Sequence, residues 1–65
     1  MKRLKELREE KGLTQVEFAE IMNTSQRTIS GYETGYREPD FKTLKKLCDF
    51  FGVTSDYLLG FKDYE

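Results

Sequence analysis

Apolar residues along this chain recur at helical spacing, in clusters closed off by glycine, asparagine or proline. Residues 2–11 are helix formers, with Leu4 and Leu7 on one side and charges elsewhere, and Gly12 supplies a stop. Thr14-Gln15-Val16-Glu17 fits a capping box, in which the threonine hydroxyl takes one orphan amide while the glutamate reaches back to the cap amide. Phe18, Ala19 and Met22 form the apolar face of that second helix, with Ile21 beside it. Asn23 tolerates a left-handed backbone and is placed to end it. Thr24 or Ser25 then caps a third helix running to about Thr34, with Ile29 and Tyr32 apolar and the rest of its surface polar. Gly35 to Pro39 reads as a loop. Asp40 caps a fourth helix whose stripe is Phe41, Leu44, Leu47, Cys48 and Phe51, the clearest periodicity in the chain. After Gly52, Val53-Thr54-Ser55 opens a short fifth helix through Leu59, with Tyr57 and Leu58 turned inward; Gly60 ends it, and 61–65 is expected to fray. No stretch alternates at strand period and none repeats. The pattern predicts an all-α protein: a compact bundle of five helices, residues 1–65 forming one domain.

Composition narrows the chemistry. A core drawn from 65 residues rarely supplies more than ~3–5 kcal/mol net. Cys48 is the only cysteine, so no disulfide helps, and the unpaired thiol points to a reducing cytoplasm. With one cysteine and no histidine, Cys/His metal sites and His-based nucleophilic triads are ruled out. No cofactor motif is present, no apolar run approaches the ~20 residues a bilayer needs, and a chain this short leaves little room for a catalytic pocket beside a core. An enzyme is not expected. Net charge is −1, but unevenly spread: residues 24–46 hold five basic against three acidic groups, and residues 47–65 hold Lys62 against Asp49, Asp56, Asp63 and Glu65. Positive charge in mid-chain is compatible with one surface that faces a polyanion.

The order of signals between Thr14 and Gly35 sharpens this picture. A capped helix carries a small residue, Ala19; Asn23 turns the chain tightly; Ile29 and Tyr32 then anchor the next helix. Helices joined by so short a turn cross steeply, and a small side chain at Ala19 lets their backbones approach. The second helix of such a pair, here a helix-turn-helix over about 14–34, protrudes as a rod that fits the ~12 Å major groove of DNA.

These residues resemble the lambda-repressor-like helix-turn-helix family, which includes phage repressors, Cro proteins and xenobiotic-response-element regulators. The resemblance lies in Leu13-Thr14-Gln15-x-x-Phe18-Ala19, in Thr28-Ile29-Ser30-x-Tyr32-Glu33-x-Gly35, and in Pro39 with Leu44, Leu47 and Phe51. Phe51-Gly52-Val53-Thr54-x-Asp56-Tyr57-Leu58-Leu59-Gly60 completes it, so that nearly the whole chain is covered. Two positions depart from the family pattern. Asn23 stands where the turn residue is usually glycine, and Gly31 stands where the family often places a base-reading side chain. A glycine there implies either close approach of DNA or a narrower readout.

The resemblance implies roles residue by residue. Gln26 and Arg27 open the exposed face of the third helix, where Gln can pair with adenine and Arg with guanine in bidentate fashion; Ser30 and Gly31 continue that base-facing surface. Gln15 is expected to touch a phosphate and steady the recognition helix, with Ser25, Thr28, Tyr36, Arg37 and Lys42 as further phosphate contacts. Arg8 and Glu33 align with an arginine and a glutamate that pair between the first helix and the end of the third. Cys48 is expected to be a small buried hydrophobe. Phe18, Tyr32, Phe41, Phe51 and Tyr57 are assigned to the core. Phe50 falls off the stripe and, with Leu58, Leu59 and Phe61, is assigned to an exposed dimerisation patch.

The function implied is sequence-specific recognition of double-stranded DNA by a transcriptional regulator of the repressor kind, a homodimer on a palindromic operator. It would be bacterial or phage-encoded and would work in the cytoplasm at the nucleoid, without metal, cofactor or membrane. The rival expectation is a protein-interaction module of the same fold, of antitoxin or antirepressor type. The ending after Gly60 fits a complete small protein and the first domain of a longer regulator equally well.

Overall fold

In a computed structural model, residue 1 and residues 3–61 are described, and they form five α-helices: α1 (Leu4–Glu10), α2 (Gln15–Ile21), α3 (Gln26–Thr34), α4 (Phe41–Phe51) and α5 (Ser55–Leu59). The described residues contain no strand. Most of the expected tail, 62–65, lies outside the described residues. Phe61 is not frayed: its N–H donates to the Asp56 carbonyl at 2.8 Å, and that of Gly60 to Tyr57 at 3.0 Å, closing α5 about a left-handed Gly60.

Four of the five helices, α2 to α5, start on a side-chain cap. The Thr14 hydroxyl accepts from the Glu17 N–H at 3.1 Å while the Glu17 carboxylate accepts from the Thr14 N–H at 2.9 Å, a complete capping box. Ser25, Asp40 and Thr54 cap α3, α4 and α5 in turn by accepting the N–H three residues on. The Asp40 carboxyl is held below the usual carboxylate range by that bond from the Thr43 backbone, with the Thr43 hydroxyl adding to it. Between α2 and α3, Asn23 takes φ +56°, alone among the described non-glycine residues in having a positive φ. There the Thr24 N–H reaches back to the Ala19 carbonyl at 2.9 Å, so an asparagine performs the helix-ending turn that glycine usually makes.

Leu4, Leu7, Phe18, Ala19, Ile29, Leu47, Val53 and Leu58 form the buried core, and Tyr32, Leu44, Phe50, Phe51 and Tyr57 are partly buried against it. Ala19, 3 % exposed, is buried in α2, the helix that packs against α3. Three expectations are corrected. Leu58 is fully buried and belongs to the core, so it has no part in an exposed patch. Phe50 is half-buried among rings, its centroid 5.6 Å from Phe18 and 5.0 Å from Phe51, with the Lys11 ammonium over its face. Phe41 is 90 % exposed instead of buried. It is the first residue of α4, and because helical side chains lean toward the N-terminus, its ring projects past the end of the stripe. Of the expected dimer patch only Leu59 and Phe61 remain exposed.

Cys48 is half-buried beside this core, and burial, reinforced by the neighbouring Asp49 charge, pushes its thiol pKa up. The thiolate is the reactive form, so alkylation by iodoacetamide is expected to be severalfold slower for the folded protein than for the protein unfolded in guanidinium chloride. Equal rates would mean that the thiol is freely accessible.

Candidate nucleic-acid interface

One face of α3 carries Gln26, Arg27, Ser30, Gly31 and Thr34, the spacing of residues that line one side of a helix. These residues border an open cleft completed by Gln15 from α2 and by Tyr36 and Arg37 from the following loop. Seven of the residues expected to meet DNA are thus brought together: Gln15, Gln26, Arg27, Ser30, Gly31, Tyr36 and Arg37. The cleft lining holds two arginines and no carboxylate. A net charge of −1 therefore does not oppose anion binding here, since no described carboxylate lines the cleft.

A hydrogen-bonded chain runs from the protein interior to this face. Arg8, 6 % exposed, donates from Nε to Glu33 Oε2 at 2.7 Å, from Nη2 to Glu33 Oε1 at 3.3 Å, and from Nη1 to the Leu13 carbonyl at 2.6 Å. The bond to Glu33 raises the arginine pKa further above its ordinary value, against the opposing effect of desolvation. Glu33 Oε1 also accepts from Gln15 Nε2 at 3.1 Å. Gln15 Oε1, left facing outward, accepts from Gln26 Nε2 at 3.3 Å. Each link orients the next: the buried pair fixes the Gln15 amide, and Gln15 fixes Gln26, the first residue of α3.

Ser25, Thr28 and Lys42 do not line the cleft. The Ser25 hydroxyl is engaged as the α3 cap, accepting from the Thr28 N–H at 3.1 Å and sharing a hydrogen bond with the Thr28 hydroxyl at 2.9 Å. Lys42 is exposed in the first turn of α4. Gly31, expected on the exposed side, is buried, because the side-chain stem of Arg37 lies across it. Thr34 was not among the expected residues, although its place four after Ser30 is the signal that would have found it; its hydroxyl donates to the Gly31 carbonyl at 3.3 Å. Among the described residues no group of His, Cys, Asp and Glu is arranged to hold a metal ion, and no helix is long and apolar enough to cross a membrane.

Comparison with known proteins agrees with this geometry. The helix-turn-helix family model matches residues 4–58, most of the chain. The chain is 51 % identical over 59 residues to the HTH-type transcriptional regulator ImmR of Bacillus subtilis, covering 91 % of this chain and 46 % of that protein. It is 41 % identical over 58 residues to the HTH-type transcriptional activator BcrR of Enterococcus faecalis, covering 89 % of this chain and 28 % of the relative. With the cryptic phage CTXphi transcriptional repressor RstR of Vibrio cholerae it shares 35 % identity over 51 residues, which is 78 % of this chain and 46 % of RstR. The chain spans about half the length of the first curated relatives it matches. Members of this family are DNA-binding regulators and not enzymes. With five helices among the described residues, an α2–turn–α3 unit and a family match over residues 4–58, the chain belongs to the lambda-repressor-like helix-turn-helix family of DNA-binding transcriptional regulators.

Proposed function

We propose that this domain reads a palindromic operator as a homodimer in the cytoplasm and represses transcription by occupying the site. The observation that carries the reading is the Arg8–Glu33–Gln15–Gln26 chain of hydrogen bonds, which holds a base-reading amide in place before DNA arrives. Such preorganisation avoids the cost of ordering rotamer-rich side chains on binding. Gln26 Nε2 keeps a second N–H and Oε1 keeps its lone pairs, the donor and acceptor that adenine N7 and N6 require. Arg27, beside it and exposed, carries the fork that guanine O6 and N7 accept. Ser30 and Thr34 extend the same face. Gln15, Tyr36 and Lys42 serve the phosphate backbone; Ser25 and Thr28 do so only through whatever hydroxyl capacity capping leaves them.

The dimensions of one copy fit a dimeric reading of a two-fold operator. The Cα extents are 27 × 24 × 19 Å, whereas half-sites of such operators lie ~34–36 Å apart, so one copy covers one half-site. Leu59 and Phe61, exposed near the C-terminal end of α3 beside Gly35 and Pro39, are the proposed contact between copies. The repressing sign follows relatives such as RstR; the similarity to BcrR, an activator, makes the sign a property to be measured.

Selection of bound duplexes from a random pool tests the reading, run beside Arg27→Ala. A palindromic consensus is expected, with information lost at one base pair per half-site in the variant. Affinity for the selected site is expected to fall steeply between 50 and 200 mM salt through counterion release. A folded protein that recovers no consensus at low salt, or whose binding ignores ionic strength, would overturn the operator reading and favour a protein partner.

A further inference from the structure

Gly31 and Arg37 pack against each other at the recognition face. Gly31 sits on the cleft face of α3, four residues after Arg27 and one after Ser30. A Cβ built there would come within 2.9 Å of Arg37 Cδ and Cγ and 3.2 Å of Arg37 Cβ. Contacts that close are nearly forbidden, so the Arg37 stem occupies the space a side chain at position 31 would fill. The placement is secured at the backbone: the Arg37 N–H donates to the Gly31 carbonyl at 3.1 Å, and the Thr34 hydroxyl bonds the same oxygen at 3.3 Å. The stem is therefore laid along bare helix backbone, while the residue as a whole stays exposed and borders the same cleft as Gln26 and Arg27.

We infer that Arg37 is a specificity-determining residue which replaces the absent side chain of Gly31 on the recognition face and reads a guanine in the major groove. The inference deepens the operator reading and rests on it. A loop arginine that served only a phosphate would not require its methylenes pinned to a glycine in the middle of the recognition helix. With the stem laid there and the residue bordering the same cleft as Arg27, fewer rotatable bonds are left to order when the planar fork of donors takes up the bidentate arrangement that guanine recognition rewards. The glycine, weak as a helix former, is then explained as a slot and not as a gap in the readout.

Duplex selection by the protein, by Arg37→Met, by Gly31→Ala and by the double variant tests this. Arg37→Met keeps an aliphatic stem over Gly31 and removes the fork. It is expected to lose a guanine at one base pair per half-site, other than the pair lost by Arg27→Ala, with discrimination there falling by about 5- to 150-fold. Gly31→Ala, checked for folding by circular dichroism, is expected to relax the same base pair by displacing the stem, and to add no loss there in the Arg37→Met background. If Arg37→Met instead weakens every sequence equally, keeps the consensus and lowers the salt slope by about 1, Arg37 contacts phosphate and the inference is overturned. Absence of any consensus with the unaltered protein would overturn the operator reading, and this inference with it.

Discussion

Arg8→Met is expected to abolish most of the folded population at 37 °C, seen as loss of the cooperative thermal transition by circular dichroism. The side chains of Arg8 and Glu33 are 7 % and 3 % exposed, and their contact at 2.7 Å ties α1 to the end of α3. Removing the arginine leaves a buried carboxylate with only the Gln15 amide to solvate it, and frees the Leu13 carbonyl. Losing one partner of such a pair costs ~3–5 kcal/mol. That is about the whole net stability a single core of this size provides.

The double variant Arg8→Met/Glu33→Leu separates folding from function. Two apolar residues of similar volume commonly replace a buried pair at no cost or with a gain, so the cooperative transition is expected to return. DNA affinity is expected to stay low, because Gln15 no longer has the Glu33 carboxylate to orient it toward Gln26. Recovery of both stability and operator affinity would show that the pair serves the fold alone.

Elements governed by local chemistry were legible in the residues. Caps at Thr14 and Asp40 and left-handed stops at Asn23 and Gly60 act within four or five residues and lie where the pattern puts them; of the two candidates for α3 it is Ser25 that caps, and within the Val53-Thr54-Ser55 opening of α5 it is Thr54. Legibility failed where the deciding partner is distant or the helix is short. In α5, five residues long, the spacing turns Leu58 inward, as it is found, and what fails is its second assignment, to a surface patch beside exposed Leu59. Phe50 lies off the α4 stripe, yet Phe18 from α2 and Lys11 beyond α1 enclose it. Gly31 could not be understood from its own helix, because the loop residue Arg37 returns to cover it.

The interface divides along the same line. Gln15, Gln26, Arg27 and Ser30 are assigned through the family resemblance, and the structure gathers them in one cleft. The bonds that order them, Glu33 to Gln15 and Gln15 to Gln26, join residues eighteen and eleven positions apart and carry no sequence periodicity.

Phe18 and Phe41 put the distinction to a measurement, since the apolar pattern assigned both to the core. Phe18→Ala is expected to cost ~3–5 kcal/mol, and Phe41→Ala no more than ~0.5 kcal/mol, both read by urea denaturation. Phe18 is fully buried, with ring centroids of Phe50 and Phe51 at 5.6 and 5.4 Å. Alanine there removes the ring against which Phe50 and Phe51 of α4 pack. Phe41, at 90 % exposure, already has its ring in water. With about 4–8 °C per kcal/mol for a domain of this size, Phe41→Ala should move Tm by no more than ~4 °C. Phe18→Ala should leave little folded protein at 37 °C, and with α2 unsupported the recognition helix loses its backing, so operator binding falls in step. Comparable losses from the two variants would mean that Phe41 packs against the bundle, and that the stripe along α4 reaches one residue further than its geometry shows.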